Sequence, residues 1–151
     1  MSGTALLPVA LWPHLEQLVA GSAEAPLLVF KHSTSCGTSL DALDELTAHM
    51  AACDGRVRYA LVPVQDGRAA SDGLAARLGV RHQTPQAILI RNGHAVWSAS
   101  HFRITAATLT RAVLDRTFPD TAQSVAFEGV VGHYHLQTDK FDPGPAFDWD
   151  R

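Results

Sequence analysis

LLVFKHSTSCGTS, residues 27–39, runs from a continuous apolar stretch into one cysteine set among small hydroxyl side chains. The apolar part has strand length and follows a loop at residues 21–26, which suits a buried central strand. Beyond Cys36, TSLDALDELTAHMAAC places Leu40, Leu43, Leu46, Ala48 and Met50 at helical spacing, with Thr38 or Ser39 available to cap the start. Cys36 therefore falls at a strand-to-helix turn. Three positions on, where a redox pair carries its second thiol, stands Ser39.

Outward from this turn the chain alternates helices and strands. Residues 9–20, VALWPHLEQLVA, carry Leu11, Leu15, Leu18 and Val19 on one helical face, with Pro13 suited to the first turn. DGRVRYALVPVQDG alternates Val57, Tyr59 and Leu61 as a second strand, and RAASDGLAARLGV predicts a helix closed by Gly79. TPQAILIRNGHAVWSASH predicts a hairpin turning at Asn92-Gly93, with strands from Gln86 to Ile90 and back through Trp97. ITAATLTRAVLDR closes the series as an amphipathic helix with Ile104, Leu109, Val113 and Leu114 largely on one side and Thr105 as its cap. This order describes an α/β, thioredoxin-like fold: a central mixed sheet of about four strands with helices on both faces, occupying residues 1–118, plus a C-terminal extension over 119–151.

At 151 residues, 46% hydrophobic and 18% charged, the chain has the make-up of a globular domain with one core. A net charge of -3, with the cationic residues scattered, argues against a nucleic-acid partner and against an anionic membrane surface. The N-terminal stretch lacks a basic region, and its apolar part is broken by Pro8, Pro13, His14 and Glu16, so neither a signal peptide nor a membrane span is predicted. The expected location is the cytoplasm. Cys36 and Cys53 fit neither a disulfide scaffold nor a zinc knuckle, and in a reducing compartment both are thiols.

The first N–H groups of a helix have no internal partners and carry partial positive charge, so a thiol placed there is favoured as its thiolate. Cys36 is so placed, and Thr34, Ser35, Thr38 and Ser39 add hydroxyl donors; the plainer alternative is a small residue buried at a helix start. Thr84-Pro85 precedes the hairpin, and an X-Pro bond adopts the cis form at small cost, turning the preceding N–H and C=O outward. In a thioredoxin-like fold such a loop lies opposite the redox cysteine and pairs with substrate backbone; an ordinary loop proline is the other reading. His101 ends the return strand and should come back close to Thr84-Pro85, where it either contacts an anionic ligand or the thiolate or simply faces solvent. His32, ending the first strand, carries the same two readings. Cys53 lies at the far end of the helix that Cys36 begins, roughly 25 Å away, too far for a resolving thiol.

LLVFKHSTSCGTS, followed by LGVRHQTPQAILIRNGHAVWSASHFRIT, resembles the monothiol bacilliredoxin family, YtxJ type, over about residues 10–115. The resemblance implies a thioredoxin fold, a cytoplasmic setting and no bound cofactor. It further implies a thiol-disulfide oxidoreductase that uses Cys36 to remove bacillithiol from S-bacillithiolated proteins, with bacillithiol as co-substrate. Ser35, Gly37, Thr38 and Ser39 would support the thiolate, while Thr84, Pro85, His32 and His101 would bind substrate backbone and the small thiol. With Ser39 in the resolving place, an external thiol must regenerate the protein. The family usually has proline after the cysteine; this chain has Gly37, and CGTS resembles the box of monothiol glutaredoxins. A glutathione-using or iron-sulfur-carrying glutaredoxin is therefore the rival, although the glycine-aspartate segment expected late in glutaredoxins is absent after NGHAVWSASH. A non-catalytic thioredoxin-like binding module is the third reading.

After Phe118-Pro119 the character changes. GHYHLQTDKFDPGPAFDW resembles the C-terminal zinc segment of N-acetylmuramoyl-L-alanine amidases, which implies His133 and Asp142 as ligands. The rest of that enzyme is missing, so an active amidase is not expected and no metal site is assigned. A fusion remnant, or an appended strand and loop packed through Phe127, Tyr134, Phe141, Phe147 and Trp149, are the competing readings of the tail.

Overall fold

The computed structural model describes residues 5–52 and 56–117. Cys53 and the amidase-like tail with His133 and Asp142 lie outside the described residues. The elements run β1 (Leu6–Pro8), α1 (Trp12–Ala20), β2 (Leu27–His32), α2 (Gly37–Ala52), β3 (Arg58–Pro63), α3 (Arg68–Leu78), β4 (Gln86–Arg91), β5 (His94–Ser100) and α4 (Ala106–Thr117). They form one mixed sheet in the order β1-β3-β2-β4-β5, the thioredoxin-like architecture. β2 lies centrally, parallel to β3 and antiparallel to β4, and every one of its residues is buried.

The strand's alternation divides its side chains between two layers. Leu27 and Val29 join Ala60, Val62, Ile88 and Ile90 beneath Leu15 and Val19 of α1 and Ala70 and Leu74 of α3. On the other face α2 packs on α4. There the fully buried His49 joins three elements: its Nδ1 lies 2.8 Å from Thr110 Oγ1 of α4 and its Nε2 lies 2.8 Å from Tyr59 OH of β3. Burial holds the His49 imidazole below the usual histidine range.

The sheet has five strands rather than about four. The additional one, β1, is a three-residue edge strand parallel to β3, and its apolar residues are indistinguishable by pattern from the start of the helix that follows. Leu11, expected on the buried face of α1, is instead its N-cap and 65% exposed. α2 also turns differently from the expected leucine stripe. Ser39, Ala42, Leu46 and His49 face inward, whereas Leu40 is exposed, because polar partners at Ser39 and His49 anchor that face. β3 is not a simple alternation: Tyr59, Ala60 and Val62 are all buried, as a strand between β1 and β2 with helices on both sides requires. Gly79 closes α3 at φ 69°, Asn92 and Gly93 turn the hairpin at φ 55° and 77°, and Thr105 caps α4 by accepting the Thr108 N–H at 3.1 Å, all as expected. No described helix is long and apolar enough to cross a membrane.

Candidate functional site

At its C-terminal end β2 leads directly into the turn that carries the cysteine. Cys36 caps α2: its carbonyl accepts the Ser39 and Leu40 N–H groups at 3.1 and 3.2 Å. The side chain is a partly exposed free thiol at the first turn of a sixteen-residue helix with no acidic residue in that turn. Ser35 and Gly37 are exposed and Thr38 is partly so. A side-chain carbon built on Gly37 meets nothing within 4 Å, and its φ is not in the left-handed region. Neither crowding nor backbone conformation therefore demands glycine after the cysteine.

Ser39 is fully buried and faces away from solvent. Its Oγ accepts the Ser33 N–H at 2.9 Å and lies 2.9 Å from His32 Nδ1, so the hydroxyl holds the end of β2 against the start of α2. His32, expected at a ligand-binding surface, is only 6% exposed and stacks on Phe30 with ring centroids 5.9 Å apart. Burial holds its imidazole below the usual range, partly offset by the Ser39 contact. Its link to the thiol turn runs through Ser39. Outside the turn, Gln65 Nε2 donates to Ser33 Oγ at 2.9 Å and to Ser35 Oγ at 3.3 Å.

The second half of the site precedes β4. Thr84-Pro85 is cis. Lys31 of β2 pairs laterally with Gln86, so the cysteine turn leaving β2 and the Thr84-Pro85 loop entering β4 emerge from adjacent strands at the same end of the sheet. The His101 N–H donates to Pro85 O at 3.1 Å, which brings the return strand's end to this loop, as expected. The His101 side chain is exposed and its backbone is left-handed, at φ 55°. The buried Gln86 amide staples the loop, donating to Arg81 O at 2.9 Å and accepting the Gln83 N–H at 3.3 Å.

Three residues at this end of the sheet were not singled out in the sequence: Lys31, Gln65 and His82. Lys31 is fully buried, and burial lowers its ammonium from 10.5 to about 8, with Asp72 opposing that shift. Its sequence signal is a lone lysine inside the apolar run LLVFKH. Gln65 and His82 sit in loops, and nothing in their local sequence marks them. Among the described residues no group of three or more histidines, cysteines or acids is placed to hold a metal ion.

The family model of the monothiol bacilliredoxin BrxC matches residues 12–109, which span every element described from α1 to the first turn of α4. Among solved structures, a provisionally assigned oxidoreductase with a thioredoxin fold is 28% identical, with 71% of this chain and 92% of that one covered at a TM-score of 0.65. Thioredoxin from Fasciola hepatica is 20% identical, covering 74% of this chain and 100% of its own, with a TM-score of 0.60. Thioredoxin from Trypanosoma brucei brucei is 11% identical, covering 76% and 92%, with a TM-score of 0.62. The chain belongs to the monothiol bacilliredoxin family and is a thiol-disulfide oxidoreductase with a thioredoxin-like fold.

Proposed function

We propose that this bacilliredoxin-family protein removes bacillithiol from S-bacillithiolated cytoplasmic proteins by exchange at Cys36. The observation that carries the reading is a partly exposed free thiol on the residue whose carbonyl accepts the first N–H groups of α2, while the side chain three positions on, Ser39, is buried and hydrogen-bonded elsewhere. A thiol so arranged has no neighbour across the motif with which to close a disulfide.

The Cys36 thiolate attacks the bacillithiol sulfur of the mixed disulfide. The bond to the client protein breaks, the client leaves as a thiolate that takes a proton from water, and Cys36 keeps bacillithiol as its own mixed disulfide. A second bacillithiol thiolate then attacks the bound bacillithiol sulfur, releasing bacillithiol disulfide and the Cys36 thiolate. No cofactor is needed: the electrons come from the second bacillithiol. In this scheme the backbone of the partly exposed Thr84, beside Pro85, pairs with the client chain, and the exposed His101 ring contacts the carboxylates of the small thiol. Ser35, Gly37 and Thr38, the chain neighbours of Cys36, support its thiolate in this scheme, and His32 acts through Ser39 by fixing the turn. Partners are bacillithiol and bacillithiolated proteins rather than nucleic acid or membrane.

Incubation with an S-bacillithiolated client, followed by intact mass, tests the reading. The expected result is one bacillithiol adduct on wild-type protein and none on Cys36→Ala. An adduct that persists in Cys36→Ala, or no transfer in wild type, overturns it.

A further inference from the structure

Lys31 lies within the layer beneath α3, yet its amine reaches the Thr84-Pro85 loop through one intermediary. Nζ donates to the Ser71 carbonyl of α3 at 3.3 Å and lies 3.2 Å from His82 Nδ1. Ser71 Oγ lies 3.1 Å from the same ring nitrogen, and His82 Nε2 lies 3.3 Å from Thr84 Oγ1. These contacts form a continuous path from a buried cation to the hydroxyl beside the cis proline.

The chemistry of each group fixes the direction of the path. An ammonium has three donors and no acceptor, so the nitrogen it faces must offer a lone pair. Ser71 Oγ can donate or accept and therefore does not choose between tautomers; Lys31 does. With Nδ1 as acceptor, the neutral ring carries its proton on Nε2, and that N–H donates to Thr84 Oγ1. A Thr84 hydroxyl that accepts from His82 keeps its own proton free. Thr84 is partly exposed, so that proton is available to an acceptor outside the loop. Partial desolvation of the ring, then the Lys31 charge, hold His82 below the usual histidine range against the opposing effect of Asp72, consistent with a neutral ring.

We propose that Lys31 and His82 are positioning residues that set the Thr84 hydroxyl as a hydrogen-bond donor toward a carbonyl or carboxylate oxygen of the bound mixed disulfide. This rests on Thr84 contacting substrate, as in the scheme above. The cation itself touches neither substrate nor sulfur. It acts at two removes, by choosing the imidazole tautomer.

Two readouts test this. Nitrogen-15 spectra of the His82 ring should show the proton on Nε2 in wild type and a mixture of tautomers in Lys31→Met. Rates with an S-bacillithiolated client should show kcat/KM lowered about 2- to 10-fold in Lys31→Met, chiefly through KM, the size expected for one misdirected hydrogen bond. That loss should vanish when the same change is made in Thr84→Val. His82 is exposed, so His82→Ala removes no core side chain, and it should reproduce the loss without adding to that of Lys31→Met. A proton on Nδ1 in wild type, an unchanged tautomer in Lys31→Met, or an equal loss with and without the Thr84 hydroxyl overturns the proposal. A wild-type protein inert toward the client but with the expected tautomers would overturn the exchange reading and, with it, the substrate end of the relay, while leaving the Lys31-to-His82 step standing.

Discussion

Lys31 and His32 are neighbours in the chain, both buried at the end of β2, and they hold opposite halves of the site. His32 points into the α2 layer and bonds Ser39 beneath the cysteine turn. Lys31 points into the α3 layer and reaches His82 beneath the Thr84-Pro85 loop. The His32 side is a short closed contact between a neutral ring and a hydroxyl. Among the described residues, the charge on the Lys31 side meets the Ser71 carbonyl and the His82 imidazole and feels the Asp72 carboxylate. The difference teaches that one strand end positions two loops by unlike means: a satisfied hydrogen bond on one face, and a desolvated cation on the other.

The two sides should respond oppositely to substitution. Ser39→Ala strips the acceptor from the Ser33 N–H and the partner from His32 Nδ1, and should cost about 1 to 3 kcal/mol in urea unfolding. A loss below a few tenths would mean that the closed contact contributes nothing. Lys31→Met removes a buried cation rather than a satisfied pair, and should raise stability near neutral pH. The sign follows from proton uptake. Lys31 titrates near 8 when folded and near 10.5 otherwise, so between those values the unfolded chain holds more protons and wild-type stability rises with pH. Lys31→Met should flatten that alkaline rise; an unaltered rise would show that the charge is not buried in solution. The histidines give the acid counterpart. His32, His49 and His82 are all held below their usual value, so stability should fall as pH drops below about 6.5.

Smaller effects come from the exposed residue on each side. His101 occupies left-handed backbone beside Pro85, where a side chain is disfavoured, and His101→Gly should stabilise by about 1 kcal/mol or less while weakening exchange if the ring contacts the small thiol. Unaltered exchange would leave His101 a surface residue. Gly37→Pro should change unfolding by about 0.5 kcal/mol or less, since the first position of a helix accepts proline and a Cβ on Gly37 meets nothing within 4 Å.

The fold was readable because its signals are local: an apolar run, three helical periods, an Asn-Gly turn and a glycine cap. β1 was not, since three residues at a sheet edge carry too little pattern to separate from the next helix. The cysteine, its helix and the proline loop were readable for the same reason, each being a short contiguous motif. Gln65 was not, since it joins the site only because β3 ends beside it; His82 stands two residues before Thr84, but its link to Lys31, 51 residues away in sequence, leaves no trace in neighbouring residues. The sequence offers Ser39 in place of the missing second thiol, as a helix cap or as a donor to the thiolate, whereas its burial and its bonds to Ser33 and His32 show that it fastens the turn.

The most direct test is a competition between S-bacillithiolated and S-glutathionylated forms of one client at equal concentration. Faster consumption of the bacillithiol form, with the adduct confined to Cys36, is the predicted result. Equal or reversed preference would contradict bacillithiol as the co-substrate.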